Sequence, residues 1–399
     1  MQEAPPSRNR RRAVRLAALV VALALAAALR PFPSQFKFRH GGDAVRYLTW
    51  STLLAKEGVS AFPGLVREYR QKWVGFPPPT RAFYLLTAAA LIRAWPSPGD
   101  AFHPIVLISW LSGVLVLLAV AYWMRDDFPD GVTGFALLLV AVGPVLRAVS
   151  HFPLPDSLLA LENVWLFALL VEHQKRPRRW IPWAIGALAF LMVLTRETGM
   201  FGLVAAGVYV LVEWRRTRRF PWAPSIAVVV ACVLATALIV PMAGGVGPFW
   251  AFVVEYARGA TTTTGSLPFV SGPPYTYLVS FVLVMPLLVV VTTAGVVGVV
   301  RDPATRAAVV PILILFGVEL AVYAVFPKTL RYTLPCEIGL RMLGAVVVWR
   351  AFRVHRVAGV LLGVALVAVD EGLFLALFGF DQVYDPTVWA IARQLRMIP

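Results

Sequence analysis

A dozen apolar stretches of near-membrane length follow one another along this chain, at about 14–30, 82–95, 105–123, 132–149, 156–172, 180–195, 199–213, 223–242, 277–300, 308–326, 336–349 and 357–380. A spanning helix needs roughly 20 apolar residues. Inside a bilayer every backbone polar group must be satisfied within the protein, so only helices and closed barrels cross it. Runs this long and this uniformly apolar suit helices. The expected fold is therefore an all-α polytopic membrane protein, with residues 1–399 as a single transmembrane domain.

Composition agrees. Of 399 residues 15% are charged and 59% hydrophobic, where a soluble domain carries roughly 25% charged residues. The net charge of +16 would suggest nucleic acid in a soluble protein. Here the cations cluster in short loops between apolar runs, as positive-inside topology demands. Anionic membrane lipids are the expected partner, and nucleic acid is not. Cys232 and Cys336 lie far apart in or beside apolar runs, with no metal-type neighbours. They give neither a zinc site nor a disulfide framework.

The basic clusters are the N-terminus, 175–179, 215–219, Arg301/Arg306 and Arg350/Arg353/Arg356. All belong on the cytoplasmic side. Counting every apolar run as a span puts 175–179 on the wrong side. The short run 82–95, flanked by Pro79 and Pro96, resolves this if it lies along or only partly in the membrane. About eleven spans then result, with the N-terminus cytoplasmic. The first run also suits a cleaved signal peptide; either reading places Pro31 onward outside the cytoplasm.

The outer face then collects 31–104, 151–155, 196–197, 243–276 and 326–335. The first of these is long, aromatic and basic, and its acid Asp43 stands isolated just after Gly41-Gly42. Its helical spacing predicts juxtamembrane helix, with Tyr47 and Trp50 on the face of Asp43. The tract 243–276, with Thr261 to Thr264 and several Gly and Pro, is expected to be a mobile outer loop.

The outer charges are sparse and sit at helix ends, and polar groups at membrane depth are costly and usually functional. Each also has a structural reading. Asp43 and Asp156 both suit helix N-termini as caps. His151 lies one turn after Arg147 and just before Asp156. Arg196 is a candidate for an anionic ligand, whereas Glu197 suits a local ion pair. Lys328, Arg331 and Tyr332 suit either snorkelling to lipid phosphates or a clamp on a bound phosphate. Glu162, Glu319, Glu337, Arg341, Asp370 and Glu371 lie in or beside apolar runs. They suit proton sites of a transporter, or pairs inside the bundle such as Glu337 with Arg341.

Taken in order, these residues resemble a family. Asp43-Ala44-Val45-Arg46-Tyr47 with Gly58, Pro77-Pro78 before Phe83-Tyr84-Leu85-Leu86, Pro155-Asp156, and Arg331-Tyr332-Thr333-Leu334-Pro335 are similar to motifs of the GT-C membrane glycosyltransferases. The protein-O-mannosyltransferase-like and aminoarabinose-transferase-like branch is the nearest in pattern. The acid that often follows the first Asp is replaced by Ala44. No metal ligand is assigned, and a divalent ion is left open. The resemblance implies a GT-C helix bundle in a bacterial-type inner membrane. It implies transfer of a sugar from a polyprenyl-phosphate donor to a lipid, glycan or protein acceptor on the extracytoplasmic face, with inversion. Asp43 would be the base, and Asp156 would orient the acceptor or assist. Arg46, Tyr47, Arg147, His151, Arg196, Arg258, Lys328, Arg331 and Tyr332 would bind donor and phosphate. A lipid-sugar flippase or an inactive relative is the alternative.

Overall fold

The computed structural model describes residues 8–30, 42–72, 78–95, 102–262, 272–326, 329–378 and 386–398. Among these the regular elements are all helical. Helix α1 (Arg8–Leu29) is followed by three helices in the expected outer loop: α2 (Asp43–Glu57), α3 (Phe62–Lys72) and α4 (Ala82–Ala94). The bundle continues with α5 (Phe102–Met124), α6 (Asp130–Ala141), α7 (Pro144–Ser150), α8 (Asp156–Lys175), α9 (Ile181–Thr195), α10 (Gly199–Thr217) and α11 (Trp222–Met242). Then come α12 (Val246–Thr262), α13 (Thr276–Val284), α14 (Pro286–Arg301), α15 (Pro303–Tyr323), α16 (Leu334–Val354), α17 (Arg356–Phe378) and α18 (Pro386–Gln394).

By length and composition α5, α11 and α15 can each cross a membrane, and two bent pairs bring the total to as many as five. The other apolar helices are shorter or more charged, so eleven crossings stay an expectation. At 13 residues, α4 is only about 20 Å long, short of the ~30 Å hydrocarbon core. This is the helix that charge parity had singled out.

Two apolar clusters hold the molecule together. The larger runs through α5, α6, α8, α15 and α16. The smaller joins Tyr47, Trp50, Phe62, Tyr69 and Tyr84 of the outer helices to Ile105, Leu194 and Phe252. The sequence explains this outer layer. In α2 the buried residues Ala44, Tyr47, Ser51 and Leu54 recur every three or four positions, and in α3 Phe62, Leu65, Val66 and Tyr69 do the same. Such stripes bury one face of a helix. The segment expected to be a mobile loop begins differently. Residues Val246–Thr262 form α12, with Phe252 buried against the outer layer. Residues 263–271 lie outside the described residues.

Two apolar runs that look continuous are broken. The run 132–149 becomes α6 and α7, bent by 51° at Gly143-Pro144. Proline at a first helical position interrupts the preceding ladder. Glu337 and Arg341 brace this break. Glu337 Oε2 accepts from Leu146 N at 2.9 Å, Arg341 Nη1 donates to Leu139 O at 2.9 Å, and Arg341 Nε donates to Glu337 Oε1 at 3.0 Å. The run 277–300 becomes α13 and α14, bent by 113° at Pro286. Asp370 caps the new N-terminus by accepting from Leu287 N at 3.1 Å and Leu288 N at 3.2 Å. Replacing Asp370 by leucine is expected to cost about 1–2 kcal/mol, measured as a lowered midpoint in detergent unfolding.

Candidate active site

Helix ends converge on one end of the bundle. Asp43 is the first residue of α2, behind the extended N-cap Gly42, and Asp156 is the first residue of α8, behind Pro155. The cap positions themselves are Gly42 and Pro155, so each acid stands one residue inside its helix, in the first turn. Asp43 pairs with Arg331, 288 residues away, and Asp156 with Arg196, 40 residues away. Both acids thus hold long-range partners as well as their places in the first helical turn. Arg196 ends α9, and Arg331 lies in the short 3-10 turn Leu330–Thr333 that leads into α16. The Asp156–Arg196 pair is almost completely enclosed, both side chains being 2% exposed.

A third pair completes the cluster. Arg81, which precedes α4, donates to Glu197 Oε2 from Nε at 2.9 Å and also to the Tyr47 hydroxyl. The Tyr256 hydroxyl donates to Glu197 Oε1 at 2.7 Å. The expected local pair is only peripheral, since Arg196 Nε stands 3.9 Å from Glu197. Tyr332 ties the pairs together. The Arg196 guanidinium lies 4.0 Å from its ring centre and that of Arg331 5.2 Å. Cations over aromatic faces are favourable. Tyr47 packs edge-on against Tyr84 at 5.3 Å.

The electrostatics follow from this alternation. Burial works against the charge on Asp43, but Arg331, with Arg81 and Arg196 behind it, holds the carboxyl below its ordinary value. Burial likewise opposes ionisation of Glu197, and Arg81 and Arg196 outweigh it, pulling the pKa down to about 2. A carboxyl so depressed stabilises the fold fully above its unfolded value of roughly 4.3, and the contribution is lost as pH falls toward the folded value. The thermal midpoint is therefore expected to drop between about pH 4.5 and pH 2. Part of that drop should vanish in Glu197→Gln, as a pH series of melting curves would show.

Of the residues singled out in the sequence, Asp43, Tyr47, Asp156, Arg196, Arg331 and Tyr332 are brought together. Arg46 is half-buried one turn from Asp43 and feels its charge. Arg147 is buried on α7, which packs against the Arg331 turn, and His151 caps that helix half-buried. Arg258 lies exposed on α12 near Glu255. Lys328 lies outside the described residues. Sequence reasoning did not assign Arg81, Glu197, Tyr84 or Tyr256 to the site. The cue available for Arg81 was its place two residues after the Pro77-Pro78-Pro79 run.

Each of the three carboxylates is engaged by an arginine. Among the described residues no three His, Cys, Asp or Glu side chains are grouped as ligands.

Residues 78–242 match the family model for dolichyl-phosphate-mannose-protein mannosyltransferase. No curated protein sequence matches the chain. Solved structures resemble it over nearly its whole length. ArnT from Cupriavidus metallidurans, bound to undecaprenyl phosphate, aligns at 17% identity and TM-score 0.59 over 98% of this chain and 76% of its own. The oligosaccharyltransferase AglB from Archaeoglobus fulgidus, in complex with an inhibitory peptide and a dolichol-phosphate, aligns at 15% identity and TM-score 0.53 over 95% of this chain and 56% of its own. The fold is thus that of these membrane transferases, and residues 78–242 carry the likeness to the mannosyltransferase family model.

Proposed function

We propose that the protein transfers a sugar from a polyprenyl-phosphate donor to an acceptor hydroxyl or amine on the extracytoplasmic face of a bacterial-type cytoplasmic membrane, with inversion. One observation carries this reading: the Asp43–Arg331 and Asp156–Arg196 pairs meet across Tyr332. The lipid phosphates present in the ArnT and AglB structures support it.

The chemistry is a single displacement. The bond from the anomeric carbon to the phosphate oxygen breaks, and a bond to the acceptor forms on the opposite face. A phosphate leaving group needs cationic stabilisation more than protonation. Arg331 and Arg196 supply it, bidentate geometry being suited to phosphate. The acceptor proton passes to Asp43. While paired with Arg331 that carboxylate is a weak base. When phosphate takes over the guanidinium, Asp43 loses its strongest cationic partner and becomes more basic. Asp156 holds Arg196 in place, and Glu197 and Tyr256 hold Arg81 against Tyr47. The tyrosines offer rings to the sugar.

The flippase reading draws on intramembrane acids, and most of these serve the fold. Glu337 and Asp370 brace helix breaks, and Glu162 accepts from the Thr195 hydroxyl at 2.8 Å.

The test is turnover in lipid vesicles with labelled polyprenyl-phosphate sugars and a mixture of lipid, glycan and peptide acceptors. Release of polyprenyl phosphate with an inverted product, read by NMR, is expected. A product with retained configuration would rule out the single displacement. Movement of intact donor across the bilayer without cleavage would select the flippase.

A further inference from the structure

The Arg196 end of α9 carries the candidate active site. The other end opens onto a groove between α9 and α11, with a cavity of about 1110 Å³. Its floor is tight: a Cβ on Gly186 would stand 3.2 Å from Ala227. Its walls are apolar, including Ala187, Leu191, Val230 and Leu234. Arg178 and Arg179 stand at its mouth.

The basic cluster divides between two tasks. Lys175 pairs with Asp127, and Arg176 with Asp126 at 3.1 Å, so the loop after α5 neutralises both. Arg178 and Arg179 are exposed. Arg178 comes no closer than 3.9 Å to Glu172, whose nearer partner is Arg125 at 3.1 Å. Arg179 makes no ion pair among the described residues. Two cations are thus left at the rim of an apolar groove.

The dimensions fit one class of ligand. From Ile181 to Leu191 along α9 is about 15 Å, and from Trp222 to Leu234 along α11 about 18 Å. One leaflet of the hydrocarbon core is about 15 Å deep. Trp183, 80% exposed, lines the groove, and Trp222, 68% exposed, opens α11; aromatic side chains gather in this way at a headgroup boundary. Helix α9 has 15 residues, about 22 Å, and is too short to match the bilayer by itself.

We propose that this groove is a binding site for an anionic phospholipid, its phosphate at Arg178 and Arg179 and its acyl chains along the α9–α11 walls. The occupant is distinct from the reacting lipid. A phosphate held at Arg179 is a full helix length from Arg196. The site therefore stands whether or not the proposed reaction is correct.

The test uses the full-length protein in vesicles of mixed phosphatidylcholine and phosphatidylglycerol. Each lipid in turn carries a photoactivatable acyl chain, and labelled peptides from 181–195 and 222–242 are counted. A cation near an anionic headgroup favours partition by about fivefold. The phosphatidylglycerol probe is expected to label these peptides at least about that much more than the phosphatidylcholine probe. Arg178→Gln with Arg179→Gln should bring the ratio close to one, and both substitutions are at exposed positions. Ala187→Trp, which fills the groove from an exposed position, should lower labelling by both probes. Equal labelling by the two probes in the wild type would overturn the proposal, leaving ordinary annular lipid. So would a ratio unchanged in the double variant. Displacement of the label by unlabelled polyprenyl phosphate, but not by phosphatidylglycerol, would overturn it in favour of a donor-lipid groove.

Discussion

Asp43→Asn is expected to lower kcat about 10³-fold, within the usual range for removal of a general base, while leaving affinity for polyprenyl phosphate undiminished. The two readouts move apart for a physical reason. In the resting protein Asp43 occupies Arg331, so a donor phosphate must displace it. Asparagine is nearly isosteric and still accepts a hydrogen bond, but it no longer competes as an anion and cannot take a proton. Phosphate should therefore bind as well as before or better. Turnover of labelled donor, with binding of the product lipid phosphate followed by calorimetry, checks both halves. A variant that loses binding and turnover together would make Asp43 an organiser of the Arg331 turn. A variant with full turnover would leave the carboxylate no part in the chemistry.

The largest stability effect is expected at the enclosed pair. Arg196→Leu or Asp156→Leu alone strands a buried charge and should cost about 3–5 kcal/mol. The double variant removes both charges, and such replacements are often neutral or stabilising. It should recover most of the loss in a melting experiment. It should not recover transfer, because Arg196 also stacks on Tyr332 and is assigned to the leaving phosphate. Recovery of both stability and transfer would show that the pair is structural. Failure of the double variant to regain stability would mean that the hydrogen bonds, and not the charge balance, hold α8 to α9.

Some of this was legible in the sequence, and the reasons differ by residue. The membrane class and the placing of most helices follow from apolar runs, whose length a bilayer dictates. Asp43, Asp156 and the Arg331-Tyr332 motif stood out because an isolated charge between apolar runs has few reasons to be there. Their mutual pairing was hidden, since a carboxylate at a helix start looks like a cap until its partner is seen. Glu197 was read only in part: the local pair with Arg196 is present at 3.9 Å, but its nearer partner, Arg81, is 116 residues away. The break between α13 and α14 was missed because hydropathy does not register backbone direction, although Pro286 marked the place. Helix α12 was taken for loop because Gly, Pro and Thr flank it. Its apolar residues make sense only once the outer layer exists to receive Phe252 and Tyr256.

The alternation of three arginines with three carboxylates also bears on how the reaction ends. A pocket of unmatched cations would hold its spent lipid phosphate tightly, and departure of product would then limit the cycle. In this site every arginine has an acid waiting to reclaim it. In the proposed reaction the carboxylates would act as a built-in eluent, trading some grip on the incoming donor for prompt release of the carrier lipid. Variants that neutralise an acid should therefore suffer product inhibition that the natural chain avoids.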